Sequence, residues 1–261
     1  MLREIFKGIV YYVAAIRYFF KFRLYKYLFL LLILLIIFAF PVVIFDFVIN
    51  FLAGLIPYFK VQKYTLLTVN MVAGMSGFLL LLILSPVFSM VSEEVGKYLS
   101  GQTYRFSPVQ LLKDVVRGIK ISLRNMFYQY LLIAIISIGL YFLPEMKLIH
   151  LFGNVLIGLI TSYFYGFSIL DYAMENYRMS YKSSVQFAHR HTGLVIGLGL
   201  VYYLMISLNV LLEGKLISQH LSVYWSAFSE AFVAFIGVIA ASIIMSNYKQ
   251  NEATLQNNAA S

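Results

Sequence analysis

The 261-residue chain contains no cysteine, which excludes disulfides, thiolate metal sites and cysteine nucleophiles. Charge is nearly as scarce. Asp, Glu, Lys and Arg supply 12% of the residues, about half the share of a soluble domain. Signatures of hydrolytic and nucleotide chemistry are missing, with no HExxH, GxSxG or Walker-type loop. The neighbouring carboxyls Glu93 and Glu94 diverge on a helix and make a poor hydrolytic pair. His189 and His191 are two apart and point to different helix faces, while His150 and His220 stand alone, so no metal and no cofactor are expected. The chain does not read as an enzyme. No cleavable signal peptide precedes the first long apolar run, which begins only after Lys26, and the chain is expected to keep its N-terminus.

Apolar side chains dominate what is present. Hydrophobic residues make up 61% and aromatic residues 17%, with a mean hydropathy of +0.83. A water-soluble core cannot hide that much apolar surface, so the sequence reads as an all-α, polytopic membrane protein. In a soluble chain the net charge of +9 would raise nucleic acid as a partner. Here it reads as basic loops against the anionic cytoplasmic leaflet, with membrane lipids as the partners.

A membrane span needs about 20 mostly apolar residues. Six runs reach or approach that length: 27–45, 64–91, 126–143, 148–170, 194–212 and 231–246. The third and fourth are joined only by Pro144-Glu145-Met146-Lys147, which makes them antiparallel neighbours. Residues 1–248 read as one helical membrane domain and 249–261 as a disordered polar tail. Amphipathic pieces lie between the runs. Residues 1–20 read as an interfacial helix. In 107–125, Lys113, Arg117, Lys120 and Arg124 are spaced 4, 3 and 4 apart on one helical face, with Val115, Val116, Ile119 and Leu123 mainly on the other. Ser180 caps a further short helix through His191.

Numbering the gaps alternately from an inside N-terminus leaves only Lys60, Lys63, Lys147 and Lys215 outside among 20 Lys and Arg. That bias places both termini in the cytoplasm. Runs three and four, and five and six, are read either as full crossings or as hairpins that enter and return on one side.

The stretch SPVFSMVSEEVGKYLSG, residues 85–101, sets family as well as topology. Pro86 sits where the second run leaves the hydrocarbon, Glu93 and Lys97 form an i,i+4 pair in the favourable order, and Gly101 is placed as a left-handed cap that ends the helix. Pro86, Glu93 and Gly101, in that spacing, resemble the signature of the CysZ-type sulfate permeases and the etoposide-induced membrane-protein family. Two further blocks agree. One is Lys113-Asp114-Val115-Val116-Arg117 leading through Lys120 to Tyr141-Phe142-Leu143-Pro144; the other is Asp171-Tyr172, Glu175-Asn176-Tyr177, His189-Arg190-His191 and Gly197 to Gly199. The resemblance covers about 64–212. It implies full spans mixed with hemi-penetrating hairpins, a homo-oligomer in the inner membrane, and sulfate import for sulfur assimilation. It also implies an anion site at a Gly-hydrophobic-Arg-Arg motif. The aligned residues here are Lys21-Phe22-Arg23-Leu24, which keep only the first arginine.

Lys21, Arg23 and Lys26 either gather an oxyanion at a helix N-terminus or simply stop the first span on its inner side. The Lys113/Arg117/Lys120/Arg124 stripe either lines an anion path or snorkels to lipid phosphates. Asp171 ends a long uncharged run and is expected to pair with a basic side chain such as Arg117, locking two cytoplasmic segments together. Pro86, Glu93, Gly101, Asp171, Tyr172 and Asn176 are structural motif residues. Glu230 sits near the start of the last run, at the outer interface. The rival to a permease is a non-transporting scaffold that binds anionic lipid or a protein through its basic surface.

The missing native thiols make topology directly testable. Single cysteines at Glu145 and Glu213 should react with impermeant reagents from outside intact cells; labelling from the cytoplasm alone would overturn the six-crossing arrangement.

Overall fold

A computed structural model describes residues 1–36, 77–101, 108–143, 147–212 and 219–260. The expected continuations at 37–45 and 64–76, and the flanks Lys60, Lys63, Glu145, Glu213 and Lys215, lie outside the described residues. All regular structure among them is helical. The elements are α1 (Leu2–Lys21), α2 (Lys26–Ile36), α3 (Gly77–Ile83), α4 (Ser85–Ser100), α5 (Pro108–Phe142), α6 (Lys147–Asn176), α7 (Tyr181–Arg190), α8 (Thr192–Leu212) and α9 (Gln219–Ala260). Among the described residues, four helices are long and apolar enough to cross a membrane, or five if the bent pair α3–α4 is one span.

The core sits where α6, α8 and α9 meet. Tyr165, Phe167, Val195, Leu198, Tyr202, Phe235, Val238 and Ile239 are all fully buried there. Between lipid tails such residues gain little from burial itself, so association rests on close packing and interhelical hydrogen bonds. The α6–α8 crossing supplies the close packing. A Cβ on Gly166 would overlap the Val195 carbonyl, and one on Gly199 would overlap the Ser162 carbonyl. Only glycine lets the two backbones touch at this point. Tyrosine hydroxyls supply several of the hydrogen bonds: Tyr12 Oη donates to the Leu198 carbonyl at 2.8 Å, and Tyr202 Oη donates to the Gly77 carbonyl at 3.3 Å.

Helix α1 buries Gly8, Tyr12, Ala15 and Phe19 against α8 and α9 and exposes Leu2, Phe6, Val10, Val13, Ile16 and Phe20. Two apolar faces on one helix fit a segment packed on protein on one side and facing lipid on the other.

Three expectations need correction. The second run is not one continuous span: α3 and α4 are bent by 64° across Leu84. Pro86, in the first turn of α4, lacks an N–H and disfavours helix before it, so the break falls there. The Leu81 carbonyl exposed by the break accepts the Tyr172 hydroxyl at 2.8 Å. Most of α4 is interior rather than the wet end of a longer helix, with Val87, Phe88, Val91 and Val95 fully buried. Second, the amphipathic piece 107–125 and the run 126–143 are one helix of 35 residues. At about 1.5 Å per residue it is longer than the roughly 30 Å hydrocarbon layer. Third, the polar tail expected to be disordered continues α9 to Ala260. Extending an existing helix avoids the nucleation cost, and the Lys249–Glu252 ion pair at 2.8 Å adds a local tie.

Other local signals are as read. Gly101 ends α4 with φ 67°, its N–H bonded to the Lys97 carbonyl at 3.0 Å. Ser180 caps α7 by accepting from the Ser183 N–H at 3.2 Å.

The crossing can be tested with a paired substitution. Gly199→Leu should lower stability by at least about 1–3 kcal/mol, since the obstruction is backbone that cannot rotate away. Gly139→Ala, at an exposed position with nothing within 4 Å, should be neutral or raise stability by up to about 1 kcal/mol. Thermal unfolding in detergent would separate the two.

Candidate anion-binding turn and the Arg117–Asp171 lock

The α1–α2 turn carries Lys21, Arg23 and Lys26. All three are exposed, whereas Leu24 between them is fully buried and pins the turn to the core. Phe22 stacks on Tyr98 of α4 with ring centroids 4.4 Å apart. Arg23 has φ 53°, a left-handed conformation that L side chains rarely adopt. The amide donors of the turn are largely spent. Phe22 donates to Tyr18, Arg23 to Phe20, Leu24 to Phe19, Lys26 to Arg23, Tyr27 to Leu24 and Leu28 to Tyr25. An anion here would therefore be held by side chains rather than by a backbone nest.

The three cations are not equivalent. Lys26 Nζ donates to Glu94 Oε1 at 3.0 Å, and this hydrogen bond holds its ammonium above the usual lysine range. Lys21 lies 5.7 and 5.8 Å from the ring centroids of Tyr18 and Phe22. Arg23 makes neither an ion pair nor a ring contact among the described residues. No direct signal for Glu94 is visible in the sequence, because Glu93 has the better i,i+4 spacing to a lysine. The choice of Glu94 depends on α2 lying beside α4, which spacing along one helix does not report. Glu93 itself is half-buried on α4.

A second polar cluster joins α5, α6 and α7. Arg117 Nη2 lies 2.9 Å from Asp171 Oδ1 and 2.8 Å from Ser184 Oγ, Nε donates to Asp171 Oδ2 at 3.4 Å, and Nη1 donates to the Met179 carbonyl. The Asp171 side chain is 4% exposed. This is the pairing read from the sequence, with Ser184 and Met179 added by the fold. Arg124 is committed nearby: Nη1 donates to Tyr181 Oη at 2.7 Å, Nη2 to Asn125 Oδ1 at 2.8 Å, and the guanidinium sits 5.0 Å from the Phe167 ring centroid.

The basic stripe is thus not one lipid-facing surface. Arg117 and Arg124 turn toward α6 and α7 and Lys120 is exposed, while the Lys113 side chain lies outside the described residues. The apolar partners point the other way, with Val116, Leu123, Phe127, Leu131 and Ile135 all exposed. Buried Ser122, Asn125 and Gln129 continue the inward polar face. The helix is inside-out relative to one in water, as a lipid-facing helix should be.

The remaining motif residues hold α4. Tyr172 bonds the Leu81 carbonyl and packs edge-on to Phe88 at 5.4 Å. Asn176 Nδ2 donates to Ser92 Oγ at 2.6 Å, and Ser92 shares a 2.8 Å hydrogen bond with Ser242 of α9. Glu94 lies two residues beyond Ser92, so α4 connects the cationic turn to the end of α6.

The profile described as "Sulfate transporter CysZ/Etoposide-induced protein 2.4" matches residues 11–212, well over half of the chain. The chain belongs to that family. A search of curated proteins finds no match.

Removing one member of a buried ion pair strands the other. Arg117→Ala should cost about 3–5 kcal/mol, whereas Arg117→Met combined with Asp171→Leu should recover most of the loss. Unfolding midpoints of the two singles and the double give the coupling energy; additive losses would mean the two side chains act independently.

Proposed function

We propose that this membrane protein is a permease for a small oxyanion, sulfate being the substrate in the family's description, and that the α1–α2 turn gathers the anion. The observation that carries the reading is Arg23. A left-handed arginine costs about 1–2 kcal/mol relative to glycine, yet this turn keeps one with its guanidinium exposed and, among the described residues, free of an ion pair. Lys21 adds charge two residues away, and Lys26 stays largely neutralised by Glu94. Arg117 and Arg124 serve the fold rather than the path, since most of their donors are engaged by Asp171, Met179, Ser184, Tyr181 and Asn125. The bias of basic residues supports an inner-membrane protein with both termini cytoplasmic, which puts this turn on the cytoplasmic side. We further infer a homo-oligomer, as the family resemblance implies.

A second reading draws on α1. Its exposed Leu2, Phe6, Val10, Val13 and Phe20 are flanked by exposed Arg3, Lys7 and Arg17, which suits a helix lying on anionic lipid. On that reading the protein is a membrane scaffold.

Arg23→Gly and Arg23→Ala distinguish the two. Loss of one charge-assisted hydrogen bond worth about 1.5–3 kcal/mol weakens sulfate binding by about tenfold or more. Both variants should therefore reduce sulfate uptake into proteoliposomes at low substrate. Arg23→Gly should also raise thermal stability, by about 1 kcal/mol, through relief of the left-handed strain. Uptake unchanged in both variants would sink Arg23 as an anion contact. No flux of sulfate or a related oxyanion from intact wild-type protein would favour the scaffold.

A further inference from the structure

The far end of the α8–α9 pair holds a carboxylate that the lock and the cationic turn leave unexplained. Glu230 is 7% exposed, Asn209 4% and Ser229 6%. Asn209 Nδ2 donates to Ser229 Oγ at 3.0 Å and to Glu230 Oε1 at 3.3 Å, and Ser229 Oγ returns a hydrogen bond to Asn209 Oδ1 at 3.2 Å and reaches the Ser226 carbonyl at 3.1 Å. Glu230, expected at the outer interface, is buried among the packed helices.

Among the described residues the groups facing it are neutral. Tyr165 of α6 and Tyr202 of α8 are the titratable side chains near enough to sense its charge. The Tyr202 hydroxyl donates a hydrogen bond to the Gly77 carbonyl of α3. Tyr12 of α1, close enough to Tyr202 to interact with it, is already bonded to the Leu198 carbonyl. No lysine, arginine or histidine reaches the carboxylate among the described residues. A buried negative charge with one amide donor is poorly compensated, and such groups in membrane domains mark ion pathways. The surrounding oxygens suit a small hard cation: the carboxylate, Ser229 Oγ, the Ser226 carbonyl and, with its amide turned over, Asn209 Oδ1. Glu230 and Ser229 also lie beyond residues 11–212, outside the part of the chain shared with the family profile.

We propose that Glu230, with Asn209 and Ser229, binds a monovalent cation taken from solution, a proton or a sodium ion. The site is independent of the permease reading, and only its coupling to oxyanion flux rests on that reading.

Unfolding of the full-length protein tests the site without any transport assay. The probes are sodium chloride exchanged for choline chloride at constant ionic strength, and a pH series without sodium. Mass action should raise the wild-type unfolding midpoint with the bound cation. The response should vanish in Glu230→Gln, persist in weakened form in Glu230→Asp, and be retained in the control Glu252→Gln. A sodium response absent from Glu230→Gln identifies sodium. A stabilisation on acidification absent from Glu230→Gln identifies a proton. Identical responses of wild type and Glu230→Gln to both probes overturn the proposal. If Glu230→Gln does not fold, an undiminished response in Glu230→Asp overturns it equally. In proteoliposomes, wild-type sulfate uptake should rise severalfold with an inward gradient of that cation. Wild-type protein that shows the unfolding response but no sulfate flux would refute the permease reading and keep the site.

Discussion

The bundle depends on backbone contact between α6 and α8. In lipid an exposed leucine is nearly as well solvated as a buried one, so apolar composition alone selects no arrangement of helices. Gly166 against the Val195 carbonyl and Gly199 against the Ser162 carbonyl select one. Once these backbones touch, the side chains above and below the crossing are fixed in register. α9 then fills the remaining side and its apolar part is largely buried, whereas that of α5 is largely exposed. α5 is consequently held to the bundle by its polar face, and α1 by the Tyr12 hydroxyl and the groove along α8.

A second constraint follows from the first. Water is scarce within the bilayer, so polar groups freed by any irregularity must find partners among neighbouring helices. The α3–α4 break frees the Leu81 carbonyl, and Tyr172 takes it. Asp171, one residue earlier on α6, anchors Arg117 of α5. Two adjacent residues of α6 thus hold the broken helix on one side and the lipid-facing helix on the other. That explains why an Asp-Tyr pair at the end of a long apolar run is structural. Asn176, four residues past Tyr172, repeats the arrangement against Ser92.

Local chemistry was legible in the sequence. The glycine that ends α4, the serine that caps α7 and the pairing of Asp171 with Arg117 all follow from residue type and position. The family was legible from three spaced blocks. Less legible was anything requiring knowledge of what lies across a helix. Four basic residues on one face of α5 say that the face is distinct, but water and lipid give opposite answers about which face turns inward. Hydropathy is continuous across Leu84 and Pro86, so the 64° bend is hidden in a run that scores as one span. Asn209 and Ser229 sit in apolar stretches twenty residues apart, and only the α8–α9 packing brings them to Glu230.

The cationic turn and the Glu230 site differ in how their charge is met, and the difference bears on what each can do. At the turn, exposed side chains carry the charge and water screens it within about 8 Å at physiological salt. With its amides bonded internally, the turn as the proposed anion contact would act as a collecting surface: affinity that is weak, quick to release and lowered by salt. A dry, amide-lined pocket would bind more tightly and release more slowly. Glu230 is the reverse case, buried where screening is poor and its charge must be met by a bound cation. An oxyanion permease built this way would raise the local anion concentration at the turn, while the cation at Glu230 set whether the helices packed around it hold their arrangement.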